Sequence, residues 1–250
     1  MRALLLPGIV LPAESAYARL AEALGDEVEA RPKDLEVYRT PEPPPGYSLA
    51  LEIDGALRAA AEAGWERFHL VGYSGGGAVG AALAAAQPER LLSLALLEPA
   101  WTGWTGLSPT ETAAREEFDD IGELEPDELM ATFARLQLRP GVEPPPPPDG
   151  PPPPWMAQRP TGIAAFTAAL RAADLPPEAL RRFDRPVYHA LGGRSRRELY
   201  GEQADRLARL FPDFTAEVFE QRHHFDPPHR VEPERLAASL LALWRRAEAR

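Results

Sequence analysis

Gly72-Tyr73-Ser74-Gly75-Gly76-Gly77 places a serine hydroxyl where it could act as a nucleophile. Apolar Phe68-His69-Leu70-Val71 precedes it with strand character, and small, helix-prone residues from Ala78 to Ala86 follow. A strand, a tight turn with serine at its apex and then a helix form a nucleophile elbow. The serine backbone is strained in such a turn, so its neighbours at two residues' distance must be small; Gly72 and Gly76 meet that need. The helix N-terminus beneath the hydroxyl stabilises negative charge that develops there. A phosphate loop would need Lys-Ser or Lys-Thr after its last glycine, where Ala78-Val79 stands. A dinucleotide fingerprint would need Gly-x-Gly-x-x-Gly, which Gly72, Ser74 and Gly77 do not supply.

A serine hydroxyl is a poor nucleophile at neutral pH and needs a base in contact with it, usually histidine. The chain has five histidines. His69 and His189 fall inside expected strands and read as core residues, while His223, His224 and His229 cluster near the C-terminus. Side chains of adjacent His223 and His224 would diverge and no acidic pair accompanies them, so no metal site is expected.

Elements that could position these groups alternate along the chain. Strands are expected at Ala3–Leu6, Val28–Leu35, Phe68–Val71, Leu91–Leu97, Pro186–Leu191 and Phe214–Phe219. Pro32 marks the second as an edge or a bulge. Helices are expected at Ala13–Leu24, from a Ser48 cap to Ala63, after the elbow, at Arg196–Leu210 and at Pro233–Arg246. Such alternation implies an α/β fold with a mostly parallel sheet covered on both faces. It stops between residues 100 and 184, where only helices are expected, one opened by the capping box Ser108-Pro109-Thr110-Glu111. Eleven of the 21 residues from Pro140 to Pro160 are proline, which excludes helix and inner strand and calls for an extended polyproline strap.

Composition narrows the function classes. With 250 residues and 44% hydrophobic content, the chain can build one large domain or a core plus a subdomain. A net charge of −11 argues against nucleic acid or an anionic membrane as partner. Zero cysteines exclude disulfides and thiolate metal sites. Pro7-Gly8 break the first apolar run too early for a signal peptide, making a cytoplasmic location the default expectation.

The order of elements, the Gly-Tyr-Ser-Gly-Gly elbow and the C-terminal Arg222-His223-His224-Phe225 resemble the α/β-hydrolase superfamily over nearly the whole chain. The resemblance implies that fold without its first two strands: a core at 1–99 and 185–250 and a helical cap at 100–184. It implies a serine nucleophile, Ser74, and makes His224 the base, with His223 as runner-up and His229 as an ordinary polar residue. Many members place the triad's Asp in the turn after the penultimate strand, but that position holds Ser195 here. The nearest carboxylate, Glu198, already has a capping role in Ser195-Arg196-Arg197-Glu198. The other place the family uses is the end of the strand after the elbow helix, where Glu98 sits. A carboxylate directly following so apolar a strand wants a partner, and a histidine N–H would serve.

The oxyanion hole would use the main-chain N–H groups of Gly75 and, by alignment with the family, Ile9. Trp155 and Met156, after the proline run, are expected at the substrate pocket. The resulting expectation is a cofactor-free serine hydrolase acting on a small carboxylic ester or related acyl compound. The alternative, prompted by the missing Asp, is an impaired relative that binds a small apolar ligand under its cap. A Glu98 within hydrogen-bond reach of His224 favours the enzyme.

Overall fold

A computed structural model describes residues 1–146 and 150–250; Pro147, Pro148 and Asp149, within the expected proline strap, lie outside the described residues. Six strands form one parallel sheet: β1 (Arg2–Leu6), β2 (Glu29–Pro32), β3 (Phe68–Tyr73), β4 (Leu91–Leu97), β5 (Val187–Gly192) and β6 (Phe214–Phe219), in the order β2-β1-β3-β4-β5-β6. The chain steps outward from β1 to β2, then returns to place β3 on β1's other side. Between β1 and β3 the winding direction therefore reverses, and ligands of such sheets bind beyond the strand ends at that point.

Both sheet faces are buried because apolar side chains alternate along strands that are covered twice. Leu4, Leu6, Leu70 and Leu96 pack with α2 (Leu49–Glu62), α3 (Gly75–Ala86) and the residues between β4 and β5. Ala3, Leu5, Val71 and Leu97 pack on the other face against Tyr17 and Leu20 of α1 (Ala13–Leu24) and Leu240 and Trp244 of the C-terminal helix, Pro233–Glu248. Pro32 lies on the edge strand β2, where a missing N–H costs no ladder bond. That strand is shorter than expected, since the chain leaves β1 after Pro32 and turns at Glu36–Tyr38.

Among the described residues, four α-helices lie between β4 and β5: α4 (Pro109–Glu116), α5 (Pro126–Arg135), α6 (Arg159–Ala172) and α7 (Pro177–Arg181). Among the described residues this region holds no strand, only a single bridge from Leu138 to Ser195. Three capping expectations change, the first at Ser48, which holds the N-cap position of α2 but makes no side-chain cap bond among the described residues. The Ser108 hydroxyl does accept the Glu111 N–H at 3.0 Å, but the Glu111 side chain turns inward instead of reaching back. The box expected at Ser195–Glu198 does not form: a π-helical turn, Arg197–Gly201, precedes α8 (Glu202–Leu210), and the hydroxyl of buried Ser195 has no partner among the described residues.

His69 and His189 are fully buried in β3 and β5. No partner reaches either ring nitrogen of His189 among the described residues, and burial pushes its pKa down to about 4. An unfolded histidine takes up a proton near pH 6.5, so the unfolded chain binds the extra proton between that pH and 4. Stability present above pH 6.5 is therefore lost as the pH falls. Urea unfolding at pH 7.0 to 4.5 is expected to show a shallower loss for His189→Phe, by about 1.4 kcal/mol per pH unit across the window. Parallel curves for the two proteins would show that His189 does not titrate there.

Candidate active site

Register at the C-terminal end of the sheet sets the site. Tyr73 of β3 pairs with Leu97 of β4, so the next residues, Ser74 and Glu98, leave adjacent strands side by side. Both adopt positive φ, 51° at Ser74 and 44° at Glu98, which non-glycine residues rarely do. Main-chain bonds hold them there: Ser74 N–H donates to Leu97 O at 3.0 Å, Glu98 N–H to Ala190 O at 3.2 Å and Ala100 N–H to Ser74 O at 2.9 Å. The glycines around Ser74 answer to close approach. A Cβ on Gly72 would lie 2.3 Å from Gly76 O, and one on Gly76 would lie 2.2 Å from Leu6 O.

Ser74, His224 and Glu98 are brought together in one line. The Ser74 hydroxyl lies 3.0 Å from His224 Nε2, and His224 Nδ1 lies 3.1 Å from Glu98 Oε2. A carboxylate only accepts, so Nδ1 carries the proton and donates to Glu98, leaving Nε2 free to accept from the serine. Glu98 Oε1 accepts the Gly192 N–H at 2.8 Å, which fixes the carboxylate from its other side. All three side chains are buried.

Glu198 does not compete for the histidine. Its nearest charged partner is Arg196, at 3.8 Å, and its side chain is half-exposed. His223 is likewise turned away, its Nδ1 accepting the Phe225 N–H at 3.1 Å. Asp226 Oδ1 accepts the His223 N–H at 2.5 Å, bracing the turn rather than orienting His224. His229 is not a solvated loop residue. It is fully buried between Tyr17 and Tyr73, with ring centroids 4.9 and 4.7 Å away, and burial pushes its pKa down to about 3.

Two further tyrosines lie beside the imidazole, Tyr73 from the elbow and Tyr200 from a stretch with no sequence motif. Tyr200, in the π-helical turn, stacks on His224 with centroids 4.7 Å apart, and its hydroxyl lies 3.3 Å from Nε2. That hydroxyl donates to Gln137 Oε1 at 2.6 Å, so its lone pairs face the imidazole. Tyr73 donates its hydroxyl proton to His224 O and holds the histidine's main chain.

Gly75 opens α3, where the first N–H groups have no intrahelical acceptor; that of Gly76 goes to Pro7 O at 2.9 Å. Ile9 lies beside Ser74, and its carbonyl accepts from Tyr38 Oη at 2.7 Å. Arg159 of α6 lies 3.8 Å above the Tyr38 ring and donates Nε–H to Val10 O at 2.5 Å. The loop after β1 is thus tied to α6.

Two cavities meet at Ser74. The first has about 730 Å³ of unfilled space, its solvent-facing mouth included, and is lined by Trp101, Phe133, Ile163, Phe166, Gly75 and Tyr200 among others. The second, about 950 Å³ on the same measure, is lined by His224, Phe225, Tyr73 and Pro144–Pro146. Ile9 borders both. Trp155 and Met156, expected at the pocket, line neither. They lie in a short 3₁₀ turn, Pro154–Gln158, where Trp155 stacks instead on Arg159 at 4.8 Å. Among the described residues no His, Cys, Asp and Glu group could hold a metal ion, and no helix is long and apolar enough to cross a membrane.

Solved structures share this architecture. A hydrolase from Pseudomonas aeruginosa is 21% identical, with a TM-score of 0.70 over 97% of this chain and 89% of its own. A thermophilic esterase from Thermogutta terrifontis is 18% identical, with a TM-score of 0.71 over 99% and 90%. An esterase from Exiguobacterium antarcticum is 17% identical, with a TM-score of 0.71 over 98% and 92%. A comparison with curated proteins gives no match. The model of the alpha/beta hydrolase family matches residues 3–239, and with the parallel sheet and the elbow at its reversal point this places the chain in that family.

Proposed function

We propose that the protein is a serine hydrolase that cleaves a carboxylic ester or related acyl compound through an acyl-enzyme. The observation that carries this reading is the continuous line from Ser74 Oγ through His224 to Glu98, at 3.0 and 3.1 Å. A ligand-binding relative would have no need to keep Glu98 at positive φ, locked by Gly192 N–H and aimed at Nδ1.

Ser74 Oγ attacks the acyl carbon while His224 Nε2 takes its proton, and the carbonyl electron pair moves onto oxygen. Main-chain N–H groups of Gly75 and Ile9 receive that oxyanion, a contribution of about 3 kcal/mol per donor. Glu98 stabilises the imidazolium without accepting its proton. When the tetrahedral species collapses, the C–O bond to the alcohol breaks and His224 returns the proton to the departing oxygen. Water then repeats the sequence on the acyl-enzyme, releasing the acid and restoring Ser74, so that ester and water give acid and alcohol.

Ile9 borders both cavities, so His224 and Gly75 are the groups that assign them to the two halves of the substrate. His224 lines only the second cavity, so the alcohol leaves there. Gly75 lines only the first, which takes the acyl group. In this reading the helices between β4 and β5 act as a cap whose walls shape the acyl cavity, and the proline segment borders the alcohol side.

A fluorophosphonate probe tests the chemistry without a known substrate. Covalent labelling of the wild type at Ser74, lost in Ser74→Ala, is the expected result. A folded wild type that takes up no label would turn the reading toward ligand binding.

A further inference from the structure

The acyl cavity is walled mostly by apolar side chains, with Gln137, Thr167 and Tyr200 among its neutral polar residues, and its charged residues have one sign. Arg115 and Arg171 line it, and among the described residues no carboxylate does, in a chain whose net charge is −11. Arg171 is half-exposed and paired with Asp119 at 2.8 Å. Arg115 is different: it is 8% exposed and shares a single carboxylate, Glu111, with the equally buried Arg206, each at 2.9 Å. Neither guanidinium pairs with another acid among the described residues, so two buried cations face one anion and a positive charge is left over. Burial pulls the Arg115 pKa down, against the opposing pull of Glu111.

Two N–H groups of Arg115 have no acceptor among the described residues. Nε–H and one Nη2–H go to Glu111 Oε1 and one Nη1–H to Ala100 O, which uses three of the five N–H groups of a guanidinium. Ala100 in turn donates its N–H to Ser74 O at 2.9 Å, so Arg115 stands two hydrogen bonds from the nucleophile's main chain. The planar fork fits a carboxylate better than any neutral group.

We infer that Arg115 is a specificity residue, and that the acyl group this enzyme releases carries a second, anionic carboxylate which Arg115 receives within that cavity. The inference rests on the serine-hydrolase reading and names its substrate class: half-esters of dicarboxylic acids. A methylene chain lies along Phe166 and Ile163, and the distal carboxylate supplies the charge that Glu111 alone does not balance.

Matched p-nitrophenyl esters test it on the intact protein: hexanoate, the half-ester of adipate and 6-aminohexanoate, with octanoate and the suberate half-ester as the longer pair. The wild type is expected to turn over at least one half-ester with kcat/KM equal to or above its neutral counterpart, and the cationic ester about 100-fold less well. In Arg115→Met the half-ester-to-neutral ratio is expected to fall about tenfold or more. Wild-type rejection of both half-esters to the same degree as the cationic ester would overturn the inference, as would an unchanged ratio in the variant. If Arg115→Met does not fold, the wild-type charge order decides alone. Failure of the underlying reading looks different: no ester is turned over and Ser74 takes no label.

Discussion

In His224→Ala, kcat toward p-nitrophenyl esters is expected to fall by about 10⁶-fold, to the level of Ser74→Ala, and the double variant to lose no more. The two side chains act as one unit, because the serine proton has no other acceptor of suitable basicity within reach. Tyr200 is the nearest further group, but its hydroxyl proton is committed to Gln137 and burial holds its pKa far above that of a usable base. The single and double variants are measured side by side with steady-state kinetics, with thermal unfolding as the control on folding. A double variant about tenfold or more slower than either single one would mean that Ser74 and His224 act on different steps.

Glu98→Gln should be the second most damaging substitution, at about 10⁴-fold in kcat with little change in Tm. Hydrogen-bond direction gives the reason. The Gly192 N–H already points at Oε1 and requires an acceptor, so the carbonyl oxygen of the new amide is drawn there and its NH₂ is left facing His224 Nδ1. A donor at that position forces Nδ1 to accept and puts the imidazole proton on Nε2, where it blocks uptake of the serine proton. Glu198→Gln, which alters a half-exposed carboxylate beside Arg196, should stay within about twofold of wild type. Comparable losses in the two variants would remove Glu98 from the mechanism.

Much of the fold could be read from the chain because its strands and helices carry their own patterns. Alternating Ala3-Leu4-Leu5-Leu6 and the elbow's strand–turn–helix are local, and local rules reach them. The proximity of Ser74 and Glu98 follows from one register pair, Tyr73 with Leu97, so a carboxylate at the end of the neighbouring strand was a readable clue. Tyr200 was not readable. Nothing in Leu199-Tyr200-Gly201 distinguishes it from any core tyrosine, and its stacking on His224 depends on a π-helical turn with no local signature. Glu111 misled for a related reason. Its position completes a capping box, but two buried guanidiniums outbid one main-chain N–H for its carboxylate. Trp155 and Met156 were assigned to the pocket by sequence neighbourhood, whereas stacking on Arg159 holds Trp155 elsewhere.

That same Arg159 has a consequence for kinetics. Through Tyr38 and Val10 it fastens the Ile9 loop, the proposed half of the oxyanion hole, to the helix whose Ile163, Phe166 and Leu170 wall the acyl cavity. On the proposed reading, a long acyl group packed on this helix would also steady the donor its own carbonyl needs. Contact energy gained several carbons away from the ester is then expressed at the reacting bond, so acyl length is registered in kcat more than in KM. On the proposed reading, a cavity that is only partly filled is expected to leave the oxyanion donor less firmly held, so that selectivity is exercised after binding.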